Sequence, residues 1–113
     1  MNINTVMLGG RLTRNVDLKR LDDGTALAHF GLAVNRKYKT SAGASGEEVL
    51  FVDCQVWGAL AEKAAEHLFK GATVFIEGRL KFSTWDEHGT TRSKVTVTVA
   101  RFDYLGAPQK ARA

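Results

Sequence analysis

Cysteine is nearly absent. Cys54 is the only one, so the chain can hold no internal disulfide, and a reducing compartment is its natural setting. Paired Cys and His at ligand spacing are missing as well, which argues against structural zinc. No apolar run approaches the about 18 residues that a membrane span needs. The N-terminus, MNINTVMLGG, lacks the basic-then-apolar layout of a signal peptide. A cytoplasmic protein without a membrane partner is therefore expected. Catalytic motifs are also lacking: there is no G-x-S-x-G, no P-loop and no H-E-x-x-H. His29, His67 and His88 are far apart, Cys54 falls on an apolar strand face, and Asp86-Glu87 reads as a solvated turn. Neither catalysis, nor a cofactor, nor a small-molecule substrate is expected, although distant residues can converge into a triad in space.

What remains is a chain of 113 residues, enough for one domain with one core. Apolar residues make up 44% and charged residues 25%, as in an ordinary globular domain. The net charge is +4 and is unevenly placed. Residues 1–46 carry seven Lys/Arg against three acids, which accounts for the whole excess. A local basic excess suits a polyanionic partner; solubility alone is the plainer reading.

Periodicity gives five strands and one helix. Asn2 to Leu12 reads as a strand with a bulge or sharp bend at Gly9-Gly10, as at a barrel corner. After the turn signal Asp22-Asp23-Gly24-Thr25, alternation from Ala26 to Asn35 predicts a second long strand. KTSAGASGE, Lys39 to Glu47, reads as a hairpin loop, and FVDCQVWG, from Phe51, as the third strand. Leu60, Ala61, Ala64, Ala65 and Leu68 form an apolar stripe at helical spacing, with Gly71 where a C-terminal cap belongs. Val74 to Trp85 and Val95 to Ala100 alternate again, separated by the turn Asp86 to Gly89. An all-β domain follows: three strands, a short helix, then two strands. That order fits the five-stranded, partly open Greek-key barrel called the OB-fold, with the helix between strands three and four. The domain is expected over residues 1–106, with 107–113 a short, basic, mobile tail.

Several rings stand out of phase with this core. Phe30 and Phe82 alternate in step with the valines and leucines and are expected inside. Phe51 and Trp57 share the polar face of their strand with Asp53 and Gln55, and Trp85 shares one with Arg79 and Lys81. Phe75 is also out of phase, and is expected under the helix or in a subunit contact. Tyr38 sits in RKYK, flanked by Arg36, Lys37 and Lys39, with a parity that matches the core side. Wet-face rings interleaved with cations suit single-stranded nucleic acid, whose unpaired bases stack on aromatics while its phosphates need neighbouring charge. A protein–protein interface is the competing reading.

Three segments carry a family resemblance: NTVMLGGRL, LAVNRKY, and FVDCQVWGALAEKAAEHLFKGATVFIEGRL, followed by Trp85. From about Asn4 to Gly106 the chain resembles the bacterial-type single-stranded DNA-binding proteins. The resemblance implies a homotetramer of OB-folds, with a dimer as the smaller option, that binds and protects single-stranded DNA in replication, recombination or repair. It implies base stacking on Tyr38, Phe51, Trp57 and Trp85, and phosphate contacts from Lys19, Lys70, Lys81 and Arg92. Asp53, Ala59, Ser83 and Thr84 stand where many members are cationic; Arg36, Lys37, Lys39, Arg79 and Lys94 are expected to compensate. Typical members continue into a linker and an acidic tip, whereas this sequence stops at the basic PQKARA. If that is its natural length, recruitment through such a tip is not expected, and a phage-borne, plasmid-borne or specialised paralogue fits. The alternative is an accessory module on the same fold whose aromatic face meets a protein. RNA is a third option, since stacking tolerates it.

Overall fold

The computed structural model describes residues 1–105; the expected domain limit at residue 106 and the basic tail 107–113 lie outside the described residues. Six strands and one helix run in the order β1 (Val6–Leu12), β2 (Asp17–Arg20), β3 (Ala26–Lys39), β4 (Ser45–Trp57), α1 (Ala59–His67), β5 (Thr73–Glu87) and β6 (Thr90–Leu105). The strands hydrogen-bond in the order β1-β5-β6-β4-β3-β2, and β1 also pairs with β3. That extra pairing closes β1, β3, β4, β6 and β5 into a barrel, the OB-fold arrangement, while β2 hangs on the outer edge of β3. The helix therefore lies between the fourth and fifth strands rather than the third and fourth. The uncounted strand is β2, whose four residues are all exposed and so leave no alternation to read.

The even-numbered residues of β3 and β4 make the core. Ala28, Phe30, Leu32, Cys54 and Val56 are fully buried, together with Ile76 and Val97 from the facing strands. Burying side chains the size of Phe30, Leu32 or Ile76 stabilises the fold by roughly 1.5–3 kcal/mol each. The helix closes the core with Ala61 and Ala64, followed by Leu68. It begins one residue earlier than the apolar stripe suggests and ends at His67. Leu68, in an extended conformation, is its cap; Gly71 (φ 88°) serves the next turn instead, where the Ala72 N–H donates to the Phe69 carbonyl.

Strand β1 is shorter than its sequence pattern, but Asn4 prolongs the pairing by side chain. Its Nδ2 donates to the Leu80 carbonyl at 2.8 Å and its Oδ1 accepts from the Leu80 N–H at 2.9 Å. Gly9-Gly10 does lie at a barrel corner, because Arg11 pairs with both Thr73 of β5 and Ala33 of β3. The expected bulge is not there: the β1–β5 register runs unbroken through both glycines, and the irregularity falls at Glu77/Gly78, between β5 and β6. Gly10 meets a different demand. A β-carbon there would collide with the Ala33 carbonyl oxygen and stand 3.0 Å from its carbon.

Past the barrel, β3–β4 and β5–β6 continue as two hairpin arms. Phe82, expected in the core, is exposed on the second arm, with Leu80 and Val95. The alternation persists there, but the barrel that would cover its apolar side has ended. Phe75, expected under the helix or in a subunit contact, is half-buried, with the Arg101 guanidinium 5.7 Å above its ring.

Candidate nucleic-acid interface

Cα partners in neighbouring strands share a face of a sheet, so the register draws the outer surface row by row. At one end Trp57, Leu27 and Lys19 align across β4, β3 and β2. Next come Gln55 with His29, then Asp53 with Gly31, then Phe51 with Ala33. Lys37 and Lys39 continue this side along the arm, because the β3–β4 register has no break. On the second arm Arg79, Lys81, Ser83 and Trp85 share one face of β5, opposite Thr98, Thr96, Lys94 and Arg92 of β6.

Three of the four expected stacking rings thus share this outer surface; Tyr38, 40% exposed, does not. Phe51 is 69% exposed, Trp85 45% and Trp57 40%. Trp57 is held at the barrel rim, where the next residue, Gly58, donates its N–H to the Ala26 carbonyl at 2.8 Å and starts the helix. Tyr38 differs. Paired with Gly46, it stands on the reverse side of the β3–β4 arm, where its ring covers Gly46 and the Arg36 guanidinium lies 5.8 Å from its centre. The parity that matched the core side is real; only the core is missing there.

Two adjoining depressions join Phe51 to Trp85. One is bordered by Phe51 and the other by Trp85, and Arg14, Asp53 and Lys94 line both. Asp53 is therefore not an isolated acid. Its Oδ2 meets the Lys94 ammonium, and its Oδ1 lies 3.8 Å from Nη2 of Arg14. The Lys94 hydrogen bond holds the Asp53 carboxyl below the usual carboxylate range, against the effect of burial, and the charges of Lys94, Arg14 and His29 act in the same direction. Directly behind Asp53, burial pushes the Cys54 thiol up to about 12, so it stays protonated and inert.

The expected phosphate-contacting cations divide into two kinds. Among the described residues, Lys19, Lys37, Lys39, Arg79 and Lys81 enter no ion pair. Lys70, in the turn after α1, uses its backbone N–H to hold Asn15 Oδ1 at 2.8 Å and leaves its ammonium unpaired. Others are engaged: Arg36 with Glu48 at 3.2 Å, Arg92 with Glu87 at 3.6 Å, and Lys94 with Asp53. Arg36 also shares the reverse face with Tyr38, away from Phe51. Three groove residues escaped the sequence reading: Arg14, His29 and Gln55. Arg14 lies between β1 and β2, where nothing periodic points to it; the smallness of Gly31, over which it folds, is the only trace. No cluster of His, Cys, Asp or Glu suited to a metal ion occurs among the described residues.

Comparison with known proteins agrees with this architecture. Residues 3–105 match the Single-strand binding protein family. Single-stranded DNA-binding proteins of Helicobacter pylori and Wolinella succinogenes are 45% and 46% identical over 103 residues. Those residues are 90% of this chain but 58% and 64% of the relatives, so the chain spans about three fifths of their length. Among solved structures, the wild-type single-stranded DNA-binding protein of Thermus aquaticus superposes with a TM-score of 0.82 at 29% identity, over 94% of this chain and 52% of that one. A Plasmodium falciparum SSB solved with ssDNA gives 0.87 at 21% identity, over 93% and 96%. With the matched span covering nearly every described residue, the chain belongs to the Single-strand binding protein family.

Proposed function

We propose that this chain binds single-stranded DNA along the outer face of β3, β4, β5 and β6, without regard to sequence and without catalysis. One observation carries the reading: Phe51, Trp57 and Trp85 lie open on one continuous outer surface, interleaved with unpaired cations. Bases stack on these rings, and Lys19, Lys37, Lys39, Lys70, Arg79 and Lys81 meet the phosphates, with Arg92 and Lys94 beside the second arm. Tyr38 is a fourth and weaker stacking ring, reached only by that part of a bound strand that passes over the edge of the first arm. The family membership and the names of the relatives support DNA as the ligand, with protection of exposed strands in replication, repair or recombination as the role and the bacterial cytoplasm as the setting.

Assembly belongs to the same proposal. Strand β1 pairs with β5 along one edge and with β3 only at Arg11 and Leu12. The rest of its second edge is free to pair with another copy, and a homo-oligomer, a tetramer by family, follows. Light scattering on the free protein reads the oligomer directly. The DNA reading is tested by titrating the protein with oligo-dT. Trp57 and Trp85 under bases should lose most of their fluorescence, and unchanged emission at saturation would refute the stacking.

A further inference from the structure

Asp53 sits where the two ring-lined depressions meet, and a strand running from Phe51 to Trp85 has to cross it. Its two cationic partners come from different parts of the chain, Arg14 from the β1–β2 connection and Lys94 from β6. None of the three is buried: side-chain exposures are 36%, 51% and 50%. Exposed ion pairs contribute little to fold stability, so the cluster has no strong structural reason to exist. What it does control is the charge that the groove offers to a ligand.

We infer that Asp53 acts as a built-in competitor for phosphate, holding Lys94 and Arg14 in internal ion pairs that a DNA backbone must displace. The inference rests on the single-stranded DNA reading. The physical basis is counterion exchange. Each phosphate that a protein cation neutralises sheds the cation condensed on it, and each such contact adds about 0.7 to the slope of log K against log salt for a single strand. Where that protein cation is taken from Asp53, a carboxylate is left uncompensated in place of the phosphate, and the gain is offset. The displaced Asp53 then takes up a cation from solution, which lowers the slope further. The centre of the groove is thus electrostatically quiet, while free cations such as Lys81 and Arg79, on the same face as Trp85, carry the salt dependence. Asp53 positions these two cations and weakens their grip; it makes no favourable DNA contact of its own. Such a site favours a strand that can be peeled away and passed on.

The test is a fluorescence titration with oligo-dT at several NaCl concentrations. It compares the unaltered protein with Asp53→Asn, Lys81→Ala and the double variant Asp53→Asn/Lys94→Ala. Asp53→Asn should bind more tightly at low salt, with a slope steeper by up to about 1.4, for two released cations. Lys81→Ala should lower the slope by about 0.7. Adding Lys94→Ala to Asp53→Asn should remove about half of the gain. A slope unchanged by Asp53→Asn, or weaker binding by that variant, overturns the inference while leaving the DNA reading intact. Absence of binding by the unaltered protein overturns the DNA reading itself. Asp53 is partly exposed, so its replacement should leave the fold in place; circular dichroism of each variant checks this, and Asp53→Ser repeats the measurement with a smaller side chain.

Discussion

Arg14 folds across the main chain of β3 at Gly31, so closely that a β-carbon on the glycine would stand 2.6 Å from Nη1 of Arg14 and also meet Oγ1 of Thr13. Both obstacles are side-chain ends, which can move. Gly31→Ala should therefore cost under about 1 kcal/mol in urea unfolding, while pushing Arg14 away from Asp53. Gly10→Ala faces the Ala33 backbone instead, which the β3–β4 ladder holds in place. It should cost roughly 1–3 kcal/mol, as overpacking does. Equal costs at the two positions would contradict this picture of what each glycine makes room for.

The rings should not contribute alike. Replacing Phe51, Trp57 or Trp85 by Ala should weaken oligo-dT binding by roughly 1–3 kcal/mol each, the range for base–aromatic stacking. Tyr38→Ala should cost less, because that ring stands on the reverse of its arm and already covers Gly46. Isothermal titration at fixed salt ranks the four. A Tyr38 loss as large as that of Trp85 would mean that the strand crosses the arm edge as a matter of course.

Acid should undo the Asp53 cluster. Its carboxyl is held below the ordinary range in the folded protein, first by the Lys94 hydrogen bond. A depressed folded pKa stabilises the fold above the unfolded pKa, about 3.9, and this contribution disappears as pH falls through the folded value. The unaltered protein should exceed Asp53→Asn in urea stability by at most about 1 kcal/mol at neutral pH, as for other exposed pairs. The two should converge once the pH has fallen below the unfolded value and through the lower folded one. A gap that persists in acid would assign the difference to packing rather than charge.

How much of this was legible in the sequence depends on covering. Inside the barrel, alternation placed Phe30, Val56 and Ile76 correctly, because one face of each strand meets a core and the other does not. The same rule misplaced Phe82, because periodicity reports which residues share a face and not whether anything lies over that face. It also gave no sign of β2, exposed on all four residues, or of the end of α1, which Leu68 sets by turning extended. On the outer face, Phe51, Trp57 and Trp85 showed themselves as rings out of phase. Arg14 did not, since a loop residue acquires its neighbours only when β1 and β3 come together at Arg11 and Leu12. Asp53 looked anomalous in one dimension because both cations that answer it are distant in the chain.

The unbroken pairing of β3 with β4, thirteen residue pairs from Leu27↔Trp57 to Lys39↔Ser45, fixes a length as well as a surface. Phe51 and Trp57 are six residues apart on this one strand, about 20 Å along it at the usual rise per residue. A stacked strand advancing about 3.4 Å per nucleotide would pass some six bases over that distance. On the proposed DNA path the two rings would act as widely set milestones, with the bases between them unread by either and any sequence fitting the interval. The gauge is kept by Val52, Cys54 and Val56 on the back of the same strand.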